Sequence, residues 1–524
     1  MSLLERISNK GLPVSVSLCV LAVTIVVVAP LLQRRKQAQR LNALGSRAPA
    51  YPLKLPLGVD TLYKLVRHMR QDTFFEFTRE LLDNPGRTVE LNIPGGRLLL
   101  TDNVDNIKAI QFTQFSDFGK GERTHKIWEN ILGDSVFSTD GPLWVKNNDE
   151  LRPHLAKIRP NDLEITEKHT QRLFDHFRRG EPLEVYDVID RHQLDIVTDI
   201  FYGESANSLV EEEQPFRDAM DVLRRPLAGL FPDWIFARKA YMELNAYTNT
   251  RVDRTLALPR EELLKKEQKM NLMETLAIKQ PDRKVRICAA HGMSNAEAEI
   301  PVPKYIKDQL IAVLLASKDP VAITVSWLIY ELSRHRDIFE KIEREVRDTI
   351  GFEKHPDGEA LKNLPTLKNA VKETLRLYRP LGLNIREVKA DTCLPTGGGA
   401  DGQQPIGVLE GEQVAYSVMG SQRREAVMGF ADVDTWDPCR WENWTPTSTQ
   451  YLPFNIGPRI CLGRVFGHLQ MEYTVARMVQ EFDRIEWCGY AGAALDDEPM
   501  RIKIELNTKF DKPIMCKFIP WSTG

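Results

Sequence analysis

A chain of 524 residues with 70 basic and 73 acidic side chains carries a net charge of only −3. That balance excludes the basic excess or stripe that nucleic-acid binding needs, and the length allows a large core. The seven cysteines (Cys19, Cys288, Cys393, Cys439, Cys461, Cys488, Cys516) are scattered, odd in number and without a C-x-x-C pair. They argue against a disulfide framework or a structural zinc site and for a reducing compartment.

In chain order, residues 11–32 come first: they carry no charge and include the apolar run 20–29. Some twenty apolar residues cross ~30 Å of hydrocarbon as a helix. Arg34, Arg35, Lys36 and Arg40 follow, against Glu5, Arg6 and Lys10 ahead. The heavier basic flank stays cytosolic. The pattern predicts a single-pass signal anchor in the endoplasmic reticulum membrane, with residues 1–10 lumenal and the body in the cytosol. No small-residue cleavage site follows, which argues against a removed signal peptide. Residues 33–58 are basic and then proline-rich (Pro49, Pro52, Pro56) and read as a stiff extended linker, leaving 59–524 as one catalytic domain.

Within that domain, 89–101 reads as a short hairpin. Apolar residues recur at helical spacing over 165–177, 215–230, 252–276, 308–331 and 338–350. The polar stretch 279–303, with Pro281, Gly292, Pro301 and Pro303, reads as a surface loop. A helix ending at Pro380 puts Glu373 and Arg376 on one face, and strands are expected at 383–388, 413–417 and 501–518. The fold class is mainly α with small β-sheets. In the long helix, Pro320 lacks an N–H and frees the carbonyl of Ala316, which opens the helix locally.

One cysteine stands apart. Cys461 lies in Phe454-Asn-Ile-Gly457-Pro-Arg459-Ile-Cys461-Leu-Gly463, a glycine-bounded loop running into an apolar helix. A thiolate is a strong axial ligand for haem iron, and its electron density favours O–O cleavage. Arg459 suits a haem propionate and Phe454 suits shielding of the sulfur. Gly457 permits a special turn, and Gly463 permits close approach to a flat macrocycle.

This order resembles the haem-binding loop of the cytochrome P450 superfamily. The resemblance implies that family's fold behind one N-terminal transmembrane helix, haem b (iron protoporphyrin IX) held at its metal by Cys461, and NADPH acting indirectly through a reductase. It implies a structural triad of Glu373, Arg376 and Arg440, the last in Trp436-Asp-Pro-Cys439-Arg440, with Cys439 where the family usually has glutamate. It implies propionate contacts from Trp144 and Arg386 besides Arg459. Arg152-Pro153 follows the tryptophan as expected, but Asn148 replaces the usual arginine. A narrower resemblance, over 394–406, Gly411, Tyr416-Ser417, Arg423-Arg424 and 118–123, points to fungal members that hydroxylate alkanes and fatty acids, in secondary metabolism among other settings.

The distal helix departs from the family pattern Ala-Gly-x-Asp-Thr-Thr. Asp319 is retained, but Ser317 replaces the glycine, and Pro320 and Val321 replace the threonines, the first of which helps deliver protons to dioxygen. A water held by Ala316 and Ser317 could relay protons with Asp319 instead. Two other readings stay open: a haem-thiolate isomerase or dehydratase that does not use O2, and a weakly active haem- or ligand-binding protein. Ile311, Leu314, Leu315, Ile323, Leu381 and Leu383 are the candidate lining of a lipophilic pocket. The implied partners are a lipophilic small-molecule substrate, the lipid bilayer and NADPH-cytochrome P450 reductase, docking near Lys146, Arg152, Lys157 and Arg464.

Overall fold

Period-two stretches supply the sheets. Strands β1 (Thr88–Ile93) and β2 (Gly96–Thr101) pair antiparallel from Thr88 opposite Thr101 to Ile93 opposite Gly96. Val89, Leu91, Leu99 and Leu100 are buried. The computed structural model describes residues 29–52, 55, 58–94, 96–223, 233–280, 284–287, 298–491 and 500–521. In it, β10 (Gln413–Tyr416) runs parallel to β2 and antiparallel to β7 (Asn384–Val388), which meets the short β3 (Phe118–Gly119). This five-stranded sheet, in the order β1-β2-β10-β7-β3, is the largest among the described residues.

Helices form the bulk: α1 (Ala29–Leu44), α2 (Gly141–Leu155), α3 (Pro160–Phe177), α4 (Val185–Tyr202), α5 (Pro215–Leu223), α6 (Asp233–Leu256), α7 (Leu272–Lys279), α8 (Val302–Arg334), α9 (Arg336–Thr349), α10 (Pro365–Leu377) and α11 (Arg464–Glu481). The 33-residue α8 runs through the interior against α4, α6 and α11. Trp327 on α8 is 1 % exposed and stacks on Tyr378 with ring centroids 3.8 Å apart, a contact of the kind that adds to plain area burial.

Several expectations are corrected. The apolar run 11–32 lies, up to residue 28, outside the described residues. Among the described residues, the helix long and apolar enough to cross a membrane is α8, with 83 % of its most apolar window buried in the protein. The stretch read as an extended linker differs in form. It is helical to Leu44 and then docks, with Ser46 bridged to Ile406, Ala50 to Glu90, and Arg47 paired with Glu90 at 2.5 Å. The expected helix 252–276 is broken, because Pro259 supplies no N–H, and α7 restarts behind an Asn271–Glu274 capping box. The loop 279–303 contains an antiparallel pair, β5 (Lys284–Ile287) with β6 (Ala298–Pro301). Val285 faces the buried Ile300, an alternation too short to stand out among prolines. The helix expected over 215–230 is seen as α5, and 224–230 lie outside the described residues.

Candidate functional site

The cysteine loop is shaped by backbone constraints. Gly457 has φ +73°, and a Cβ there would stand 2.1 Å from the carbonyl oxygen of Gln111. Gln111 belongs to a π-helical turn, Ala109–Thr113, and its Oε1 accepts from the Ile456 amide at 2.8 Å. Such turns are rare and frequent at functional sites. The Cys461 N–H donates to the Phe454 carbonyl at 2.9 Å, and the Phe454 ring sits 5.1 Å from His468. Gly463 caps α11, and its N–H points at the Cys461 sulfur. Cys461 is exposed by area yet has protein packed around it on nearly every side, so its sulfur looks into an internal cavity. Burial pushes the thiol up, against the Gly463 N–H, Arg379 and Arg464. A positive metal at the sulfur would reverse that balance.

Cations gather beside it. Arg459 donates to the Thr139 carbonyl at 2.7 Å and to Asp140 at 2.5 Å, and its guanidinium lies 4.5 Å from the Trp144 ring centre. Arg386 on β7 is 5 % exposed and binds the Ile385 carbonyl at 3.0 Å. The sequence reading missed two more. Lys120 lies among Arg386, Arg459 and Asp140, and burial, then those two arginines, hold its ammonium well below the usual lysine range. Arg379, 2 % exposed, is pushed down to about 10 by burial, with Cys461 among the groups opposing that. A lysine between two glycines and an arginine before Pro380 were the available signals.

Asp140 is already engaged by Arg459 and by the backbone amides of Lys120 and Gly121. Meanwhile Arg379 Nε and Nη1, Arg459 Nε and Asn384 Nδ2 are buried without a partner. Buried donors left unpaired are costly. This cluster therefore calls for an anion, and two carboxylates of a planar group with an axially ligated metal meet the need. Among the described residues, no group of three or more His, Cys, Asp or Glu side chains could hold a metal, so one sulfur suits a metal that brings its own macrocycle. The residues present fit haem.

Glu373 and Arg376 on α10 are both fully buried. Arg376 donates to Glu373 at 2.8 and 2.9 Å, and Arg440 reaches the same carboxylate at 2.9 Å. Trp441 Nε1 adds a fourth bond at 2.9 Å, which the sequence reading missed. Arg376 also binds the carbonyls of Gln422, Val433 and Thr435. Cys439 stays outside, 3.5 Å from Lys341.

On α8, Ala316 is exposed and Leu315, Ser317 and Pro320 are half-buried in an otherwise buried stretch, so this arc faces a cavity. The helix continues unbroken through Pro320. Thr324 offers no substitute hydroxyl, since it is fully buried and donates to the Pro320 carbonyl at 2.8 Å. Asp319 turns away from the cavity's centre. It meets Lys318 at 3.1 Å and accepts from Asn507 at 3.2 Å. Ile311, Leu314 and Ile323, expected to line a pocket, are fully buried in the core clusters, whereas Leu381 and Leu383 keep accessible surface. Lys146, expected on a docking face, is paired with Glu150 at 2.9 Å, whereas Arg152, Lys157 and Arg464 are exposed.

Comparison with known proteins agrees with this geometry. The family model described as Cytochrome P450 matches residues 53–486. The chain belongs to the cytochrome P450 family, whose members are haem enzymes, and it stands among the monooxygenases. It is 33 % identical to the cytochrome P450 monooxygenase pvhE of Talaromyces variabilis, over 93 % of this chain and 92 % of that one. It is 30 % identical to cytochrome P450 52A13 of Debaryomyces hansenii (81 % and 83 %) and 31 % identical to cytochrome P450 52A1 of Candida tropicalis (80 % and 80 %). The solved haem domain of cytochrome P450DA superposes with a TM-score of 0.71 at 19 % identity, covering 91 % of this chain and 97 % of that one, which shows the shared fold.

Proposed function

We propose that the protein inserts one oxygen atom from O2 into a lipophilic substrate of fatty-acid, alkane or secondary-metabolite type, with electrons from NADPH delivered by a reductase. The observation that carries this is Cys461 on a cavity wall beside cations whose buried donors have no protein partner. When bound, haem supplies the dioxygen chemistry. Cys461 is its axial ligand. Arg459, Arg386, Trp144, Lys120 and Arg379 seat the propionates. Phe454 shields the sulfur, while Gly457 and Gly463 let the loop and the start of α11 approach the ring. Glu373, Arg376 and Arg440 hold α10 to the segment before the cysteine loop, so their role is folding and haem retention. On the distal side Asp319 holds the proton that the reaction draws on, and Ser317 with the carbonyl freed by Pro320 seats a water between them.

The likeness over 394–406 and 118–123 supports an alkane- or fatty-acid-like substrate, and half-buried Leu381 and Leu383 suit an apolar chain. Exposed Arg152, Lys157 and Arg464 offer a basic face to an acidic reductase. Residues 11–32 anchor the chain in the endoplasmic reticulum with the domain in the cytosol. The test is the carbon-monoxide spectrum of the reduced protein, then turnover of a fatty-acid and alkane panel with NADPH, reductase and 18O2. Labelled product with NADPH consumption supports the reading. Unlabelled product without NADPH makes it an isomerase or dehydratase, and a thiolate spectrum without turnover makes it a binding protein.

A further inference from the structure

Lys318 stands between Ser317 and Asp319, and its ammonium is fully buried. At about 100° per residue a helix turns Lys318 nearly to the back of the arc marked by exposed Ala316. There its Nζ meets Asp190 on α4 and, at 3.1 Å, Asp319 on its own helix. Asp190 is bound on its other oxygen by Arg217 of α5 at 2.9 Å, and Arg217 reaches Asp187 at 2.6 Å. Asp187 is 37 % exposed and also meets Arg191 at 3.1 Å. Charges therefore alternate from Asp319 through Lys318, Asp190, Arg217 and Asp187 to Arg191, from the edge of the cavity to the surface. Asn507, from the turn between β12 (Ile502–Ile504) and β13 (Thr508–Phe510), holds the second oxygen of Asp319.

A lone buried lysine would shed its proton or destabilise the fold. Here two carboxylates share it, and removing either changes what the other experiences. The cavity-facing position 320 carries no hydroxyl, so the acid beside it is governed from behind the helix. We propose that Lys318 is a positioning residue for the reaction: it holds the Asp319 carboxylate ionised and oriented at the cavity edge, and ties it through Asp190 and Arg217 to the surface. The inference rests on the haem-thiolate reading above. The charged groups around Asp319 are Lys318 from α8, Asp190 from α4 and Arg217 from α5, with the neutral Asn507 amide on the remaining side.

The experiment needs neither substrate nor reductase. Protein reduced with dithionite is exposed to air, and its return to the ferric state is timed across pH. The wild-type rate varies with pH, and Asp319→Asn removes that variation. Lys318→Met takes away the neighbouring positive charge and moves the midpoint up by about one pH unit, while Lys318→Arg keeps it within a few tenths. Asp190 keeps Arg217 in Lys318→Met, so that variant leaves no unpaired carboxylate there. An unmoved midpoint in a folded Lys318→Met that shows the thiolate carbon-monoxide band, or a flat wild-type profile, overturns the proposal. Should Lys318→Met lose haem, Asn507→Ala, which strips the other bond without orphaning a charge, decides: an upward shift of a few tenths supports the proposal and no shift overturns it. A wild type without the thiolate band instead overturns the haem-thiolate reading.

Discussion

Around Cys461 the cations Lys120, Arg379, Arg386 and Arg459 gather with one carboxylate, Asp140, that is already fully engaged, and several of their donors are unpartnered. Around Asp319, a comparable number of buried charges alternate in sign and satisfy one another. The first arrangement is built to be completed by an anionic group from outside. The second is complete, so it sets the state of a residue rather than receiving a ligand. Burial acts on both regions, and whether opposite charges are already present decides what each can do.

The contrast can be broken most severely at the sulfur. Cys461→Ser removes the axial donor, and the expected result is loss of the thiolate carbon-monoxide band together with turnover; an unaltered Soret band and rate would refute the assignment. Next in size is Arg376→Ala, which orphans the fully buried Glu373. A loss of about 3–5 kcal/mol is expected in chemical denaturation, with haem lost on purification. Lys120→Met takes one cation from the cradle and is expected to speed haem transfer to apomyoglobin by about tenfold, the size of one charge-assisted hydrogen bond. Pro320→Thr restores a hydroxyl to the cavity-facing arc. Product formed per NADPH should rise about two-fold, the gain expected of one added proton donor of modest effect; an unchanged ratio would remove position 320 from proton delivery.

The smallest effect is a pH dependence of stability on α4. Burial, and then His169, push the His192 ring down to about 3, and its nitrogens meet Thr170 and Gln193 at 3.2 Å. Its folded value lies below its unfolded one, so the neutral ring leaves stability intact above about pH 6.5, and stability falls as acid protonates the unfolded chain. His192→Asn should therefore show a shallower decline of thermal midpoint below about pH 6.5 than wild type.

Much of the thiolate side was legible because its constraints are local. Gly457 needs a positive φ within reach of Cys461, and Glu373 and Arg376 meet because they are three apart on one helix. The hairpin 88–101, the long α8 and the strands at 384–388 and 413–416 were legible for the same reason, since periods of two and 3.6 are written in consecutive residues. The break at Pro259 and the pair β5–β6 were not, because short elements carry little periodic signal and are settled by what they pack against.

By itself, the sequence determined which cysteine is the candidate ligand, which helix crosses the interior and which hydroxyl is missing from it. Only the tertiary structure decided that Lys120 and Arg379 join the cradle, that Trp441 completes the triad's carboxylate, that Ile311, Leu314 and Ile323 are packed core, and that Lys318 meets a carboxylate 128 positions away. The physical reason is range. Backbone geometry and helical spacing act over a few residues and leave a local trace. The pairing of buried charges depends on which elements fold against one another, and no window of neighbouring residues records that.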